Sequence, residues 1–148
     1  ESQLTLGNGG ALFSGVVSTA NSGGFASVRT RNFAPPLDLS AFSGIDVRLK
    51  GDGQRYKFLL RTTQSWDGLA YSYSFDTPAY EWTTVRIPFA DLRPVFRAKT
   101  VPDAAPFKAS QVISFQLMLS KFEYDGLLNP SFRTGLFQLQ LETIAGFR

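Results

Sequence analysis

The sequence predicts an all-β chain that folds as an antiparallel β-sandwich of the jelly-roll, galactose-binding-domain-like type. Apolar and polar residues alternate with a period of two along most of the chain, and no long window shows a helical period. Clusters of Gly, Pro, Asn and Asp separate the alternating segments, as turns separate strands. Because 148 residues is the length of one ordinary domain, residues 1–148 are assigned to a single sandwich.

The alternating segments give the strands in chain order. Ile45, Val47 and Leu49, for example, form the apolar side of a strand whose other side is polar. Single helical turns are expected near residues 90–93 and 109–112. The longest irregular stretches, residues 93–109 and 122–134, have the length of loops that serve function or interfaces. The predicted strands are residues 3–6, 11–18, 25–31, 45–50, 56–61, 69–76, 82–89, 115–120 and 137–142.

The pair Asp52-Gly53 is a strong signal for a two-residue hairpin turn. Counting outward from it places Leu49 opposite Tyr56, with the apolar residues of both strands on one face. Turn chemistry and hydrophobic pattern therefore predict one register for a hairpin of residues 45–61.

The same register predicts a basic face on the other side of that hairpin. Lys50 would lie opposite Arg55, and Arg48 opposite Lys57, with Arg61 further along. Like charges across a sheet destabilise it by some tenths of a kcal/mol per pair unless something offsets them. A bound phosphate is one candidate, and neighbouring carboxylates or solvent are the other. The predicted RNA- or anion-binding residues are Arg29, Arg31, Arg48, Lys50, Arg55, Lys57 and Arg61.

Composition excludes several kinds of chemistry. The chain has 15 Lys and Arg against 12 Asp and Glu, a net charge of +3, and neither His nor Cys. A zinc site of the usual ligands, a Ser-His or Cys-His nucleophile and an imidazole base are therefore excluded. No Gly-x-Gly-x-x-Gly motif for a dinucleotide is present. We predict no catalytic residue, no cofactor and no metal site.

Two further groups of side chains have a functional and a structural interpretation. Trp66 and Tyr124 lie in turn-like segments and could stack on a ligand, or could pack under a loop. A carboxylate pair or hard-cation site could draw on four acids, although Asp beside Gly mostly makes turns. These acids are Asp67, Asp76, Glu123 and Asp125.

The segment of residues 93–109 mixes cations with aromatic rings. Arg93, Arg97 and Lys99 stand beside Phe96 and Phe107, which suits a docking loop. The favoured interpretation is structural, with the phenylalanines anchoring the loop to the sandwich. The predicted strand of residues 69–76 should place Tyr71, Tyr73 and Phe75 in the core.

Several runs resemble the complex I intermediate-associated protein 30 domain family. They include NSGGFASVRT at 21–30, LKGDGQRYK at 49–57, WTTVRIPF at 82–89, RPVFR at 93–97, and a closing strand at 135–144. The resemblance covers nearly the whole chain in order. It implies a galactose-binding-like jelly roll, in agreement with the alternation.

Two more runs resemble a photosynthetic branch of that family, the high-chlorophyll-fluorescence-type factors of chloroplasts. They are RAKTVPDAAPF at 97–107 and SKFEYDG at 120–126. This resemblance implies a chloroplast location, in the stroma or peripherally on the thylakoid. It also implies that the domain is inserted in a short-chain dehydrogenase/reductase-like region, with which it would interact in cis. The role implied is promoting translation of a photosystem II reaction-centre mRNA.

Three functions are therefore carried forward. The first is a non-enzymatic interaction domain of a chloroplast translation factor, binding mRNA or proteins of the plastid translation or assembly machinery through the basic face. The second is a protein scaffold for assembling a membrane complex, as the mitochondrial branch of the family implies. The third is a carbohydrate-binding module, which fold analogy alone suggests.

Overall fold

The computed structural model describes residues 2–7, 10–20, 23–63 and 68–148, the first of these ranges as backbone. Most of this part of the chain is extended, and all strands except β8 and β9 fall where the alternation predicts them. The strands are β1 Ser2–Gly7, β2 Gly10–Val17, β3 Phe25–Arg29, β4 Gly44–Lys50, β5 Arg55–Arg61, β6 Ala70–Asp76, β7 Trp82–Pro88, β8 Arg93–Phe96, β9 Lys99–Thr100, β10 Ser114–Ser120 and β11 Gly135–Phe147.

The strands form two antiparallel sheets. Sheet A has the order β1-β2-β11-β4-β7, and sheet B has the order β3-β10-β5-β6-β8-β9. Strands that are adjacent in the sequence often belong to different sheets, as in a jelly roll. The predicted antiparallel sandwich is confirmed.

The core lies between the sheets and is built from the predicted apolar faces. Ile45, Val47 and Leu49 of sheet A face Tyr56 and its neighbours of sheet B, and all are buried. Aromatic rings fill the rest, with Phe13 and Phe137 in edge contact at 4.9 Å between ring centroids. As predicted, Tyr71 and Phe75 are buried, and Tyr73 packs on the core from its edge.

The predicted hairpin of residues 45–61 is wrong. Strand β4 pairs with β11 and β7, whereas β5 pairs with β10 and β6, so the two strands belong to opposite sheets. Alternation shows which side of each strand is buried. It does not show whether the two buried sides lie next to each other in one sheet or face each other across the core.

The side chain of Asp52 holds the crossing from β4 to β5. It is buried, and its carboxylate accepts hydrogen bonds from the Tyr56 hydroxyl at 2.9 Å, from Nε2 of Gln54 at 3.0 Å and from the backbone N–H of Gln138 at 3.0 Å. Burial, followed by the neighbouring Asp52 charge, raises the pKa of Tyr56. One carboxylate thus joins sheet B to β11 of sheet A.

Glycine is needed beside this carboxylate. A Cβ on Gly51 would lie 2.4 Å from the side chain of Thr77, which is closer than any real contact. Gly53 has φ of +90°, and its N–H donates to the Thr77 hydroxyl at 3.1 Å. The Asp-Gly pair therefore serves an inter-sheet crossing rather than a hairpin turn.

Strand β11 is longer than the predicted strand of residues 137–142 because of a β-bulge. The register against β4 shifts between Leu141 and Thr143, so Ile144 returns to the side of Val47. A bulge interrupts the two-residue alternation of apolar and polar residues. The strand predicted from that alternation therefore stops at the bulge, although the real strand continues.

Two short 3-10 turns, Phe89–Asp91 and Ala109–Gln111, lie where single turns are predicted. The irregular stretch expected over residues 93–109 instead contains the small hairpin of β8 and β9. Among the residues described, no helix has the length and apolar character needed to cross a membrane.

Replacing Asp52 with alanine should lower the free energy of unfolding by about 3 kcal/mol, because the Gln54 amide and the Gln138 N–H lose their buried acceptor. The Tyr56 hydroxyl keeps only its longer bond to the Gln138 carbonyl at 3.3 Å. Urea unfolding followed by tyrosine fluorescence measures the loss. Asp38→Ala is the control, since that exposed carboxylate bonds only to Ser40. Equal midpoints for the two variants would contradict the role given to Asp52.

Candidate functional site

The predicted basic face does not exist as a single surface. Arg48 and Lys50 project from the outer face of sheet A, whereas Arg55, Lys57 and Arg61 belong to the outer face of sheet B. The separation follows from the crossing at Asp52, which sends β4 and β5 to opposite sheets. Arg29 also lies on sheet B, opposite Gln116, and Arg31 follows the end of β3.

On sheet A, the two cations have partners within the protein. Arg48 forms an ion pair with Glu142 at 3.1 Å, the residue at the β-bulge of β11. The Arg48 guanidinium and the Lys50 ammonium both lie over the Trp82 ring, at 5.6 and 5.2 Å from its centroid. The predicted like-charge pairs across a hairpin do not form, and a carboxylate and an aromatic ring face these two cations instead.

On sheet B, Arg55 and Arg61 are also engaged. Arg55 makes a two-pronged contact with Asp76, at 2.7 and 3.2 Å, and a looser one with Glu123 at 3.6 Å. The hydrogen bonds from Arg55 lower the pKa of Asp76. Arg61 donates to the side chain of Gln116 at 2.9 Å.

Lys57 is buried and supports a loop. Only 4% of the residue is exposed, and its Nζ donates to the carbonyls of Phe122 at 3.0 Å and Glu123 at 2.6 Å. Burial lowers the pKa of Lys57. Its ammonium lies 4.5 Å from the centroid of the Tyr124 ring. Lys57 is thus a structural cation beneath the segment of residues 121–130, here called the strap.

The strap crosses the outer face of sheet B and packs there through Tyr124. This ring is 8% exposed and covers a second small apolar cluster formed with Leu59, Ala70 and Val95. Its hydroxyl bonds to the hydroxyls of Ser72 at 2.7 Å and Ser74 at 2.9 Å. Of the two interpretations of Tyr124, packing under a loop is therefore the one observed.

Asp125 ties the strap to the hairpin of β8 and β9. Its carboxylate accepts hydrogen bonds from the N–H of Thr100 at 2.8 Å and from the Thr100 hydroxyl at 2.7 Å, which lower its pKa. Its own N–H donates to the carbonyl of Ala98 at 2.9 Å. Asp125 and Gly126 have positive φ and form the two central residues of a tight turn.

A groove of about 600 Å³ opens between the strap and strands β5, β6 and β8. Its lining includes Ser72, Ser74, Arg55 and Arg93. This is the volume of a small-ligand or peptide site. Other lining residues are Tyr73, Asp91, Glu123, Tyr124, Asp125, Leu127, Leu128 and Pro130.

The groove joins carboxylates to exposed apolar side chains. Leu127 is 69% exposed and Leu128 61%, whereas a soluble surface normally leaves such side chains isolated. Asp91, which is exposed, stands on the other side in the turn before β8. These residues suit reversible binding of a ligand that has both polar and apolar groups.

Sequence reasoning named five lining residues as separate candidates, without bringing them together: Arg55, Arg93, Glu123, Tyr124 and Asp125. Ser72, Asp91 and the two leucines belong to three separate segments and match no motif. The lengths of the irregular stretches at residues 93–109 and 122–134 were the signals that pointed to this surface. Among the four candidate acids, Glu123 and Asp125 line the groove, and Asp76 lies beside it on Arg55.

The remaining predictions have separate outcomes. Trp66 and Asp67 lie outside the described residues. Phe107 packs on Tyr71 and Phe89 at 5.2 and 5.0 Å between ring centroids, which confirms that it anchors the long loop. The same prediction is wrong for Phe96, which is 42% exposed and lies beside Arg97.

Comparison with known proteins identifies relatives by sequence and by fold. The model of the complex I intermediate-associated protein 30 family matches residues 1–141. An uncharacterized protein of Schizosaccharomyces pombe is 30% identical over 141 residues, covering 83% of this chain. The chain spans only 64% of the length of that relative.

Two solved structures of the family 11 carbohydrate-binding module from Clostridium thermocellum share the fold. One, from the cellulosomal cellulase Lic26A-Cel5E, has a TM-score of 0.66 at 19% identity and covers 99% of this chain and 81% of the module. The other, in complex with a β-1,3-1,4-mixed-linked tetrasaccharide, has a TM-score of 0.65 at 20% identity, covering 99% and 82%. At such identities the likeness shows the jelly roll alone.

Replacing Tyr124 with phenylalanine should lower the free energy of unfolding by about 1–2 kcal/mol, because the hydroxyls of Ser72 and Ser74 lose their buried partner. Urea unfolding measures the change. Tyr80→Phe is the matched control, since Tyr80 is largely exposed. If both variants unfold at the same urea concentration, the hydroxyl cluster does not hold the strap.

Acidification should loosen the strap at Asp125. The pKa of Asp125 is lowered below its ordinary value of 3.8 by the Thr100 hydrogen bonds, so their stabilisation is present above 3.8 and is lost as the pH falls through the lowered pKa. The amide shift of Thr100, followed by NMR, should titrate with a midpoint below 3.8. Asp125→Asn should abolish that titration, and a midpoint at or above 3.8 would contradict the geometry.

Proposed function

The chain belongs to the complex I intermediate-associated protein 30 family, and on that premise we propose that it is a non-catalytic, protein-binding domain of an assembly factor. Its partner would be a polypeptide that occupies the groove on sheet B. This corresponds to the second function carried forward from the sequence, the assembly scaffold.

The single observation that supports this function is the groove itself. It combines a polar floor with two exposed leucines on one surface. Its strap is fixed at both ends, since the buried Asn129 donates to the carbonyls of Arg55 at 3.0 Å and Ser120 at 2.9 Å. A rigid groove loses little conformational entropy when a partner binds.

RNA binding has less support. Phosphate recognition needs several accessible cations on one surface, and the predicted cations lie on two opposite faces. Four of them, Arg48, Arg55, Lys57 and Arg61, contact carboxylates, carbonyls or an amide of the protein itself. Direct contact with mRNA stays a prediction, as do the chloroplast location, the thylakoid association and the role in photosystem II translation.

Carbohydrate binding, the third function, draws on the shared fold. Sugar rings are commonly bound against the open face of an aromatic side chain. Of the two aromatic residues that line the groove, Tyr73 packs on the core and Tyr124 is buried, with Lys57 and Arg93 at 4.5 and 4.7 Å from its ring centroid. The groove therefore favours a polypeptide over a sugar.

The function of the whole protein that contains this domain is part of the proposal. Since the chain spans less than two thirds of its curated relative, a flanking dehydrogenase-like region acting in cis stays a prediction. The identity of the assembled complex belongs to the same proposal.

The test is partner binding by a double variant of the groove. Leu127→Ser with Leu128→Ser should weaken binding of a partner identified by co-purification and then purified, by about tenfold, because interface energy concentrates in buried apolar anchors. Binding is measured by calorimetry on the two purified proteins.

The matched control changes an apolar pair on the other sheet. Val16→Ser with Leu136→Ser removes two exposed side chains that face each other across β2 and β11. This control should leave the affinity within about twofold. Equal loss in both variants, or co-purification that nuclease treatment abolishes, would overturn the proposal.

A further inference from the structure

We propose that the groove on sheet B selects a basic segment of its partner, an extended stretch in which Lys or Arg alternates with apolar residues. This inference rests on the proposed function and names the chemistry of the ligand. It also reverses the sign expected from the net charge of the chain, which is +3.

The charges that line the groove are the first argument. Asp91, Glu123 and Asp125 line it together with Arg55 and Arg93. Arg55 is already neutralised by its two-pronged contact with Asp76.

The remaining ion pairs in the groove are long. Glu123 lies 3.6 Å from Arg55, and Asp125 lies 3.7 Å from Arg93. With Asp76 included, four carboxylates stand at the groove against the guanidinium groups of Arg55 and Arg93 and the buried ammonium of Lys57, an excess of one negative charge. Among the described residues, Asp91 is the groove carboxylate that forms no ion pair. A cationic ligand is therefore electrostatically complementary to it.

The contacts of the Arg93 guanidinium further reduce the positive charge that the groove offers to a ligand. It lies 4.7 Å from the centroid of the Tyr124 ring and donates to the Thr100 hydroxyl at 3.1 Å. These contacts hold Arg93 against the wall formed by the strap and β9. Asp91, by contrast, is an exposed carboxylate in the turn that leads into β8.

The apolar part of the ligand follows from the strap. The Glu123 carboxylate accepts a hydrogen bond from the Ser74 hydroxyl at 3.3 Å, and the Glu123 N–H donates to the carbonyl of Leu127 at 2.8 Å. The strap therefore folds back on itself and presents Leu127 and Leu128 beside the carboxylates. Charge and apolar surface thus lie side by side. An extended chain projects successive side chains to opposite sides, so alternating basic and apolar residues can reach both.

The experiment uses three synthetic peptides of equal length, with leucine alternating with lysine, with glutamate or with serine. Fluorescence anisotropy measures their binding to the wild-type chain. The lysine peptide should bind at least about tenfold more tightly than the other two, because like charges repel the glutamate peptide and the serine peptide lacks the ionic contact.

Charge reversal at one groove residue completes the test. Asp91→Lys should weaken the lysine peptide by about tenfold and improve the glutamate peptide. Asp103→Lys is the control, because it makes the same change in net charge at an exposed residue outside the groove lining. Urea midpoints of both variants establish that each is folded.

The outcomes separate this inference from the function on which it rests. Equal binding of the three peptides, or equal effects of Asp91→Lys and Asp103→Lys, overturns the inference about charge. If Leu127→Ser with Leu128→Ser still abolishes binding of the natural partner, the protein-binding function stands without it. Preference for the glutamate peptide, or for a single-stranded RNA used as a competitor, would instead place an anionic ligand in the groove.

Discussion

Asp52 is a carboxylate buried between the two sheets, and the arrangement of the rest of the molecule depends on where it is held. By accepting hydrogen bonds from Tyr56, Gln54 and the backbone of β11, it fixes the chain at the point where it leaves sheet A for sheet B. If the strands shifted in register, this buried carboxylate would lose its hydrogen-bond donors, which costs free energy. The crossing therefore decides which cations share a surface.

The strands and their buried sides could be predicted from the sequence because both depend on local alternation. Strand pairing could not, since it depends on contacts distant in the chain. The two Asp-Gly pairs in the described residues illustrate the difference. Asp125-Gly126 forms a tight turn, whereas Asp52-Gly53 serves the crossing, where Thr77 and β11 supply the contacts. The same dipeptide thus has two structural roles that only tertiary contacts distinguish.

The candidate site was harder to predict than the fold for the same reason. Its residues come from β5 and β6, from the turn before β8 and from the strap, and no spacing in the sequence unites them. The turn between β8 and β9 that receives the strap is formed by Arg97 and Ala98, both at positive φ. Neither residue is a turn signal, so the hairpin was hidden in a stretch predicted to be irregular.

The net charge of the chain does not indicate which ligand charge the groove would favour, because many of the cations form contacts within the fold. Lys57 holds the strap, Arg55 pairs with Asp76, and Arg48 pairs with the bulge residue Glu142. A cation that is desolvated or paired in this way contributes to the total charge but offers little to a ligand. The carboxylates of the strap keep only long contacts to arginine. On the proposal that the groove selects a basic segment, a protein with a net charge of +3 presents a groove whose lining is net negative.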